Sequence, residues 1–136
     1  MKYVTGQHAL NILTSLETAG DWHASALQWE RPTIWESEGS FFGDYGIESG
    51  VPIPEHDEPF YVANHIRALL DLLIDNRLTV AQGMRDDFIC NEEYTPEIFD
   101  KVWQLRHLDH WDKIDALMKR EYKMEWVRYS QGQDRV

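Results

Sequence analysis

Five apolar residues, Val62, Ile66, Leu69, Leu70 and Leu73, fall at i, i+4, i+7, i+8 and i+11. That spacing gathers them on one face of a helix of about four turns. Arg67 and Asp71, four apart, are expected on the other face as a weak stabilising pair. Downstream, Thr95-Pro96-Glu97 reads as a helix start: a capping hydroxyl, a proline in the first turn and an acid near the positive helix end. The helix it opens would bury Ile98, Val102 and Leu105. Asp109 then reads as the cap of a last helix carrying Trp111, Ile114, Leu117, Met118 and Tyr122. Glu97–Lys101 and Asp115–Lys119 are acid-first pairs at i+4.

The first half is less regular. Residues 2–5 can start a strand. In residues 7–18, Ala9, Ile12, Leu13 and Leu16 follow helical spacing, with Thr5 as cap and Gly20 as stop, although Ile12-Leu13-Thr14 suits a strand equally. We read a helix there. Residues 25–29 and 33–36 are short, Trp-bearing strand candidates. From Glu36 to Pro59, four glycines and three prolines predict a long loop, a kind of segment that often carries function. The expectation is an α+β fold in a single domain over 1–136, with an irregular β-containing N-terminal half packed on a helical C-terminal half. The ordered core should run to about residue 129, with a polar tail over 130–136.

Charge changes this picture more than composition does. The net charge is −11. Residues 1–60 hold 2 basic and 10 acidic side chains, residues 61–100 hold 3 and 8, and residues 101–136 hold 8 and 6. Phosphate repulsion makes the first two segments a poor nucleic-acid surface, and the last has acids among its basic residues. A basic protein partner fits the balance better. No apolar run is long enough to span a membrane, and the N-terminus lacks a secretory signal pattern. One cysteine, Cys90, cannot form an internal disulfide. These features point to the cytoplasm.

Two tetrads share a Gly-Asp-aromatic order: Gly20-Asp21-Trp22-His23 and Gly43-Asp44-Tyr45-Gly46. Each places a hydrogen-bonding acid beside a large aromatic on a backbone that glycine lets turn sharply. Trp22, Asp44 and Tyr45 are the candidate partner-binding residues. The alternative is catalytic. Asp21 and His23 are two apart, so an extended segment would aim both the same way, and a carboxylate can orient a histidine for proton transfer. His8 could join them through folding, giving a catalytic set of His8, Asp21 and His23.

The other motifs favour structural roles. Asp109 splits His107 from His110. Glu55-His56-Asp57-Glu58 lies in a Pro-rich loop. Acids surround Cys90 and oppose thiolate formation. Gly83 stands alone and makes no phosphate loop. His65, at the border of the Val62–Leu73 stripe, is the helical residue best placed to reach the tetrads. Metal-ligand spacings are lacking, so neither a metal nor a cofactor is expected.

The stretch GQHALNILTSLETAGDWHASALQW, continuing to FGDYGIE and VANHIRALLDLL, resembles a group of small acidic bacterial proteins without assigned activity. Such proteins sit in operons with toxin–antitoxin or phage-defence genes. The resemblance covers most of the chain and assigns no functional residue. It implies a regulatory, partner-binding role, antitoxin-like in kind. The leading expectation is therefore an acidic partner-binding protein, with a small hydrolase or transferase as the alternative.

Overall fold

A computed structural model of the chain describes residues 1–134. Four short strands, β1 (Lys2–Val4), β2 (Ile34–Glu36), β3 (Ile47–Val51) and β4 (Phe60–Ala63), form a mixed sheet in the order β2-β1-β4-β3. β1 is antiparallel to β2 and parallel to β4, where Val4 meets Val62; β3 and β4 are antiparallel. Six α-helices are described: α1 (Gly6–Leu10), α2 (His65–Ile74), α3 (Leu78–Ala81), α4 (Thr95–Trp103), α5 (Trp111–Tyr122) and α6 (Met124–Asp134). Short 3-10 turns at Ala24–Ala26 and Glu92–Tyr94 and a π-helical segment, Met84–Ile89, complete the chain. The fold is α+β, with one continuous core.

α2 is the hub. Every residue from His65 to Leu73 is buried, because α1, β4, α3, α4 and the π-helical segment all pack around it. A helix enclosed this way has no solvent face. The Arg67–Asp71 pair is accordingly not exposed. Both side chains are 1% accessible, and Arg67 Nε donates to Asp71 Oδ1 at 3.0 Å. Arg67 spends its other donors on Gly43 O, Tyr45 O, Tyr3 Oη and Ser40 Oγ. Asp71 Oδ2 accepts from Tyr3 Oη and Thr5 Oγ1, each at 2.6 Å. All five guanidinium N–H groups and both carboxylate oxygens are satisfied, the condition under which a buried ion pair is tolerated.

Several boundaries differ from the sequence reading. Val62 belongs to β4. Asn64 then caps α2, its Oδ1 accepting from Arg67 N at 2.9 Å. α1 stops at Leu10, well before Gly20, where Asn11 turns its Nδ2 back to Gln7 O. Thr5 sits at the N-cap of α1, but its hydroxyl serves Asp71 instead of the helix. Residues 25–29 form no strand. β3 lies inside the stretch read as loop, with a register shift between Glu48 and Val51 where glycine breaks the pattern. α4 begins at Thr95, one residue earlier than a Thr95 cap requires. Likewise α5 is preceded by His110 and not by Asp109.

The C-terminal half closes over aromatic rings. α5 ends at Tyr122; Lys123, at φ 56°, breaks the helix, and α6 follows directly. Trp126, fully buried, stacks on Tyr129 and packs edge-on against Phe99, while its Nε1 donates to Asp115 Oδ1 at 2.8 Å. α6 continues as helix through Ser130 to Asp134, where a polar tail was expected; residues 135 and 136 of that tail lie outside the described residues. Among the described residues, no helix is long and apolar enough to cross a membrane.

Candidate functional site

The two tetrads have different fates. In the second, Gly46 adopts φ 72°, and a Cβ there would stand 2.7 Å from Arg67 Cβ. Its carbonyl accepts from Asn64 N at 2.7 Å, and Arg67 grips the carbonyls of Gly43 and Tyr45. The loop is thus bolted to α2. Tyr45 is half-buried and turned toward α4: its hydroxyl donates to Glu97, and Lys101 Nζ lies 4.2 Å from its ring centre. Glu97 and Lys101, expected as a pair, are both recruited by Tyr45. Burial, the Glu97 hydrogen bond and the Glu97 charge raise the Tyr45 pKa, so the phenol stays neutral. Asp44 is exposed. Of the three candidate contact residues, Trp22 and Asp44 face solvent and Tyr45 is engaged within the chain.

The first tetrad is built to hold a side chain outward. Gly20 is buried at φ 83°, and a Cβ would meet Leu10 O at 2.7 Å and His65 Cε1 at 2.9 Å. Its N–H donates to Phe88 O at 2.9 Å, and Asp21 N donates to Leu10 O at 2.8 Å. Asn11 closes the far side, with His23 N donating to its Oδ1 at 2.7 Å and its Nδ2 donating to Asp21 Oδ2 at 3.1 Å. Between these anchors Trp22 sits at φ 62° with 75% of its surface exposed. A left-handed backbone costs a residue with a Cβ about 1–2 kcal/mol. An exposed indole recovers little of that through burial. Backbone strain of this kind clusters at functional sites, although Glu55, Asn76, Cys90 and Lys123 also have positive φ.

His65 supports this frame. Its Nε2–H donates to Ile12 O at 2.9 Å, and its Nδ1 accepts from the Thr18 hydroxyl at 2.7 Å. Burial pushes its pKa down, outweighing the Ile12 bond and the Glu48 charge. It is a neutral clamp on the 12–20 segment. The position of His65 beside the first tetrad agrees with the expectation from the α2 stripe.

Two clefts share Trp22 as a wall. One, of about 380 Å³, is mainly apolar, with Leu10, Ile12, Leu13, Ala19 and Ala24 around it and His65 at its base. Leu13 at its lip is 70% exposed. The other, of about 480 Å³, is bordered by Asp21, His23, Asp86, Asp87 and Phe88. Asp86 and Asp87 come from the first turn of the π-helical segment and are both exposed. Their contribution was invisible in the sequence, where they appeared only as neighbours of Cys90.

The structure brings together two of the three candidate catalytic residues. His23 Nδ1 and Asp21 Oδ1 are 2.9 Å apart, on a ring whose side chain is 72% exposed. The hydrogen bond to Asp21, then the Asp21 charge, raises the His23 pKa. His8 is elsewhere. Its Nδ1 accepts from Thr33 N at 3.2 Å, its Nε2 lies 2.9 Å from Gln28 O, and its ring packs edge-on against Trp29. It fastens the 28–33 segment to α1. Among the described residues, no group of three or more His, Cys, Asp or Glu is arranged to hold a metal ion.

Comparison of the chain with protein-family models, curated proteins and solved structures finds no match in any of the three.

Proposed function

We propose that this is an acidic, cytoplasmic partner-binding protein with a regulatory, antitoxin-like role, and that its contact surface is centred on Trp22. The observation that carries the reading is the strained, exposed indole in a frame of main-chain and buried hydrogen bonds. Tryptophan is enriched at binding hot spots because it covers much area at low entropy cost. Leu13 widens the apolar surface, and the flanking acids suit a basic protein. Asp44, exposed at the second tetrad, would add long-range attraction. The same charge disfavours nucleic acid.

The test compares Trp22→Ala with Asp44→Ala in co-purification from the native host. Trp22→Ala should lose the partner while remaining folded. Asp44→Ala should weaken capture mainly at low salt. Full retention of the partner by Trp22→Ala would contradict the assignment.

One observation favours the second reading. The Asp21–His23 pair has the geometry of a carboxylate orienting a histidine for proton transfer, as a small hydrolase or transferase would need. His8 does not complete it, because its ring is held by Thr33 and Gln28. His23→Ala should therefore leave the biological output of the chain intact on the binding reading and abolish it on the catalytic one.

A further inference from the structure

The two clefts either side of Trp22 differ in chemistry, and that difference specifies what can bind. One side offers aliphatic carbon from Leu10, Ile12 and Leu13. The other offers three carboxylates, Asp21, Asp86 and Asp87, against the same indole, with His23 on its border held by Asp21. Asp21 already holds His23 and Asn11, whereas Asp87 is exposed and Asp86 has only a long 3.9 Å approach from Arg85. A cation entering the acidic cleft would therefore meet underused carboxylates and lie beside an indole, whose ring attracts cations. A large apolar side chain on the next residue would reach the apolar cleft.

Resting on the partner-binding reading above, we propose that the Trp22 surface recognises a protein segment in which an arginine or lysine stands next to a large aliphatic residue. The cation occupies the Asp21–Asp86–Asp87 cleft, and the aliphatic group occupies the Leu10–Ile12–Leu13 cleft. A second copy of this chain is a poor occupant, because the net charge of −11 sets two copies in repulsion. A free metal ion is also a poor occupant, since the acids form no ligating cluster among the described residues.

Three capped tetrapeptides test this with the full chain. One carries adjacent leucine and arginine, a second replaces arginine by neutral isosteric citrulline, and a third replaces leucine by glycine. Binding is read from the Trp22 indole N–H resonance, assigned with Trp22→Phe. The leucine–arginine peptide should shift that resonance and bind at least tenfold more tightly than either control. The gap to citrulline should shrink between about 50 mM and about 300 mM salt. It should also close in the Asp86→Asn/Asp87→Asn double variant, which removes two exposed charges and little packing.

Equal binding of all three peptides, or a citrulline gap that survives the double variant, would overturn the cation assignment. If the peptides fail this way while Trp22→Ala still loses the native partner, the chemistry is wrong and the surface is right. If Trp22→Ala keeps the partner, the surface itself is wrong.

Discussion

Replacing Trp22 by glycine and by alanine separates a strained contact residue from an ordinary surface tryptophan. The side chain is 75% exposed, so about a quarter of its area is buried. An aromatic side chain can bury up to about 250 Å², so roughly 60 Å² is lost in either variant, about 1.5 kcal/mol at 25 cal/mol per Å². The two variants then diverge. At φ 62° alanine keeps the left-handed penalty of about 1–2 kcal/mol, and glycine escapes it. Glycine also gives up some stability through its freer unfolded chain, by about 0.4–1 kcal/mol. Glycine should therefore be more stable than alanine by up to about 1.6 kcal/mol, and within about 1.5 kcal/mol of the parent chain. Ordinary sites show the opposite order. Urea denaturation of the three proteins measures it. Alanine exceeding glycine, or a loss above about 3 kcal/mol in both, would refute the claim that the frame holds Trp22 outward under strain. Binding should fall in both variants regardless of their stability order.

The buried network gives sharper losses. Asp71→Asn removes the negative charge beside Arg67 and should cost about 3–5 kcal/mol, with faster hydrogen exchange over residues 40–46, which hang on the same guanidinium. Gly46→Ala, placing a Cβ 2.7 Å from Arg67 Cβ, should cost about 2–4 kcal/mol, whereas Gly43→Ala, with open space around it, should cost only about 1 kcal/mol; thermal melts of the pair check the difference. Leu69→Ala, in the centre of α2, should cost about 2–5 kcal/mol in denaturant unfolding, and a loss below about 0.5 kcal/mol would mean that α2 is not the hub. Buried His65 has a lowered pKa, so the unfolded chain binds its proton more readily than the folded one. Its contribution is complete above the ordinary value of 6.5 and declines as pH falls below it. His65→Gln should therefore lose less stability than the parent as the pH falls from about 7.5 to about 5.

Local signals were legible in the sequence and non-local ones were not. The α2 stripe, the Thr95-Pro96 start and the strand near Tyr3 depend on neighbours within a turn or two, and each appears close to its expected place. Arg67 and Asp71 were misplaced because charge normally marks a solvent face. Their partners, Tyr3, Thr5, Ser40, Gly43 and Tyr45, are brought in only by the sheet. β3 escaped because Ser49-Gly50 interrupts its alternation. α6 had a usable signal, since Tyr122, Trp126 and Tyr129 keep helical spacing across Lys123. At the site, Gly-Asp-Trp marked the right loop. The sequence could not show which aromatic would face outward, because Trp22 and Tyr45 look alike until Glu97 and Lys101 claim the tyrosine.

The most direct test of the Trp22 surface is photo-crosslinking in the native host with Trp22 retained and p-benzoylphenylalanine placed at Ser25, exposed on the rim of the apolar cleft, and, as a control, at Tyr61. Tyr61 is 45% exposed on β4, outside the clefts flanking Trp22. The account predicts one dominant adduct with a basic protein from position 25, abolished by the Asp86→Asn/Asp87→Asn background, and none from position 61. Equal labelling from both positions, or no adduct from position 25, would contradict it.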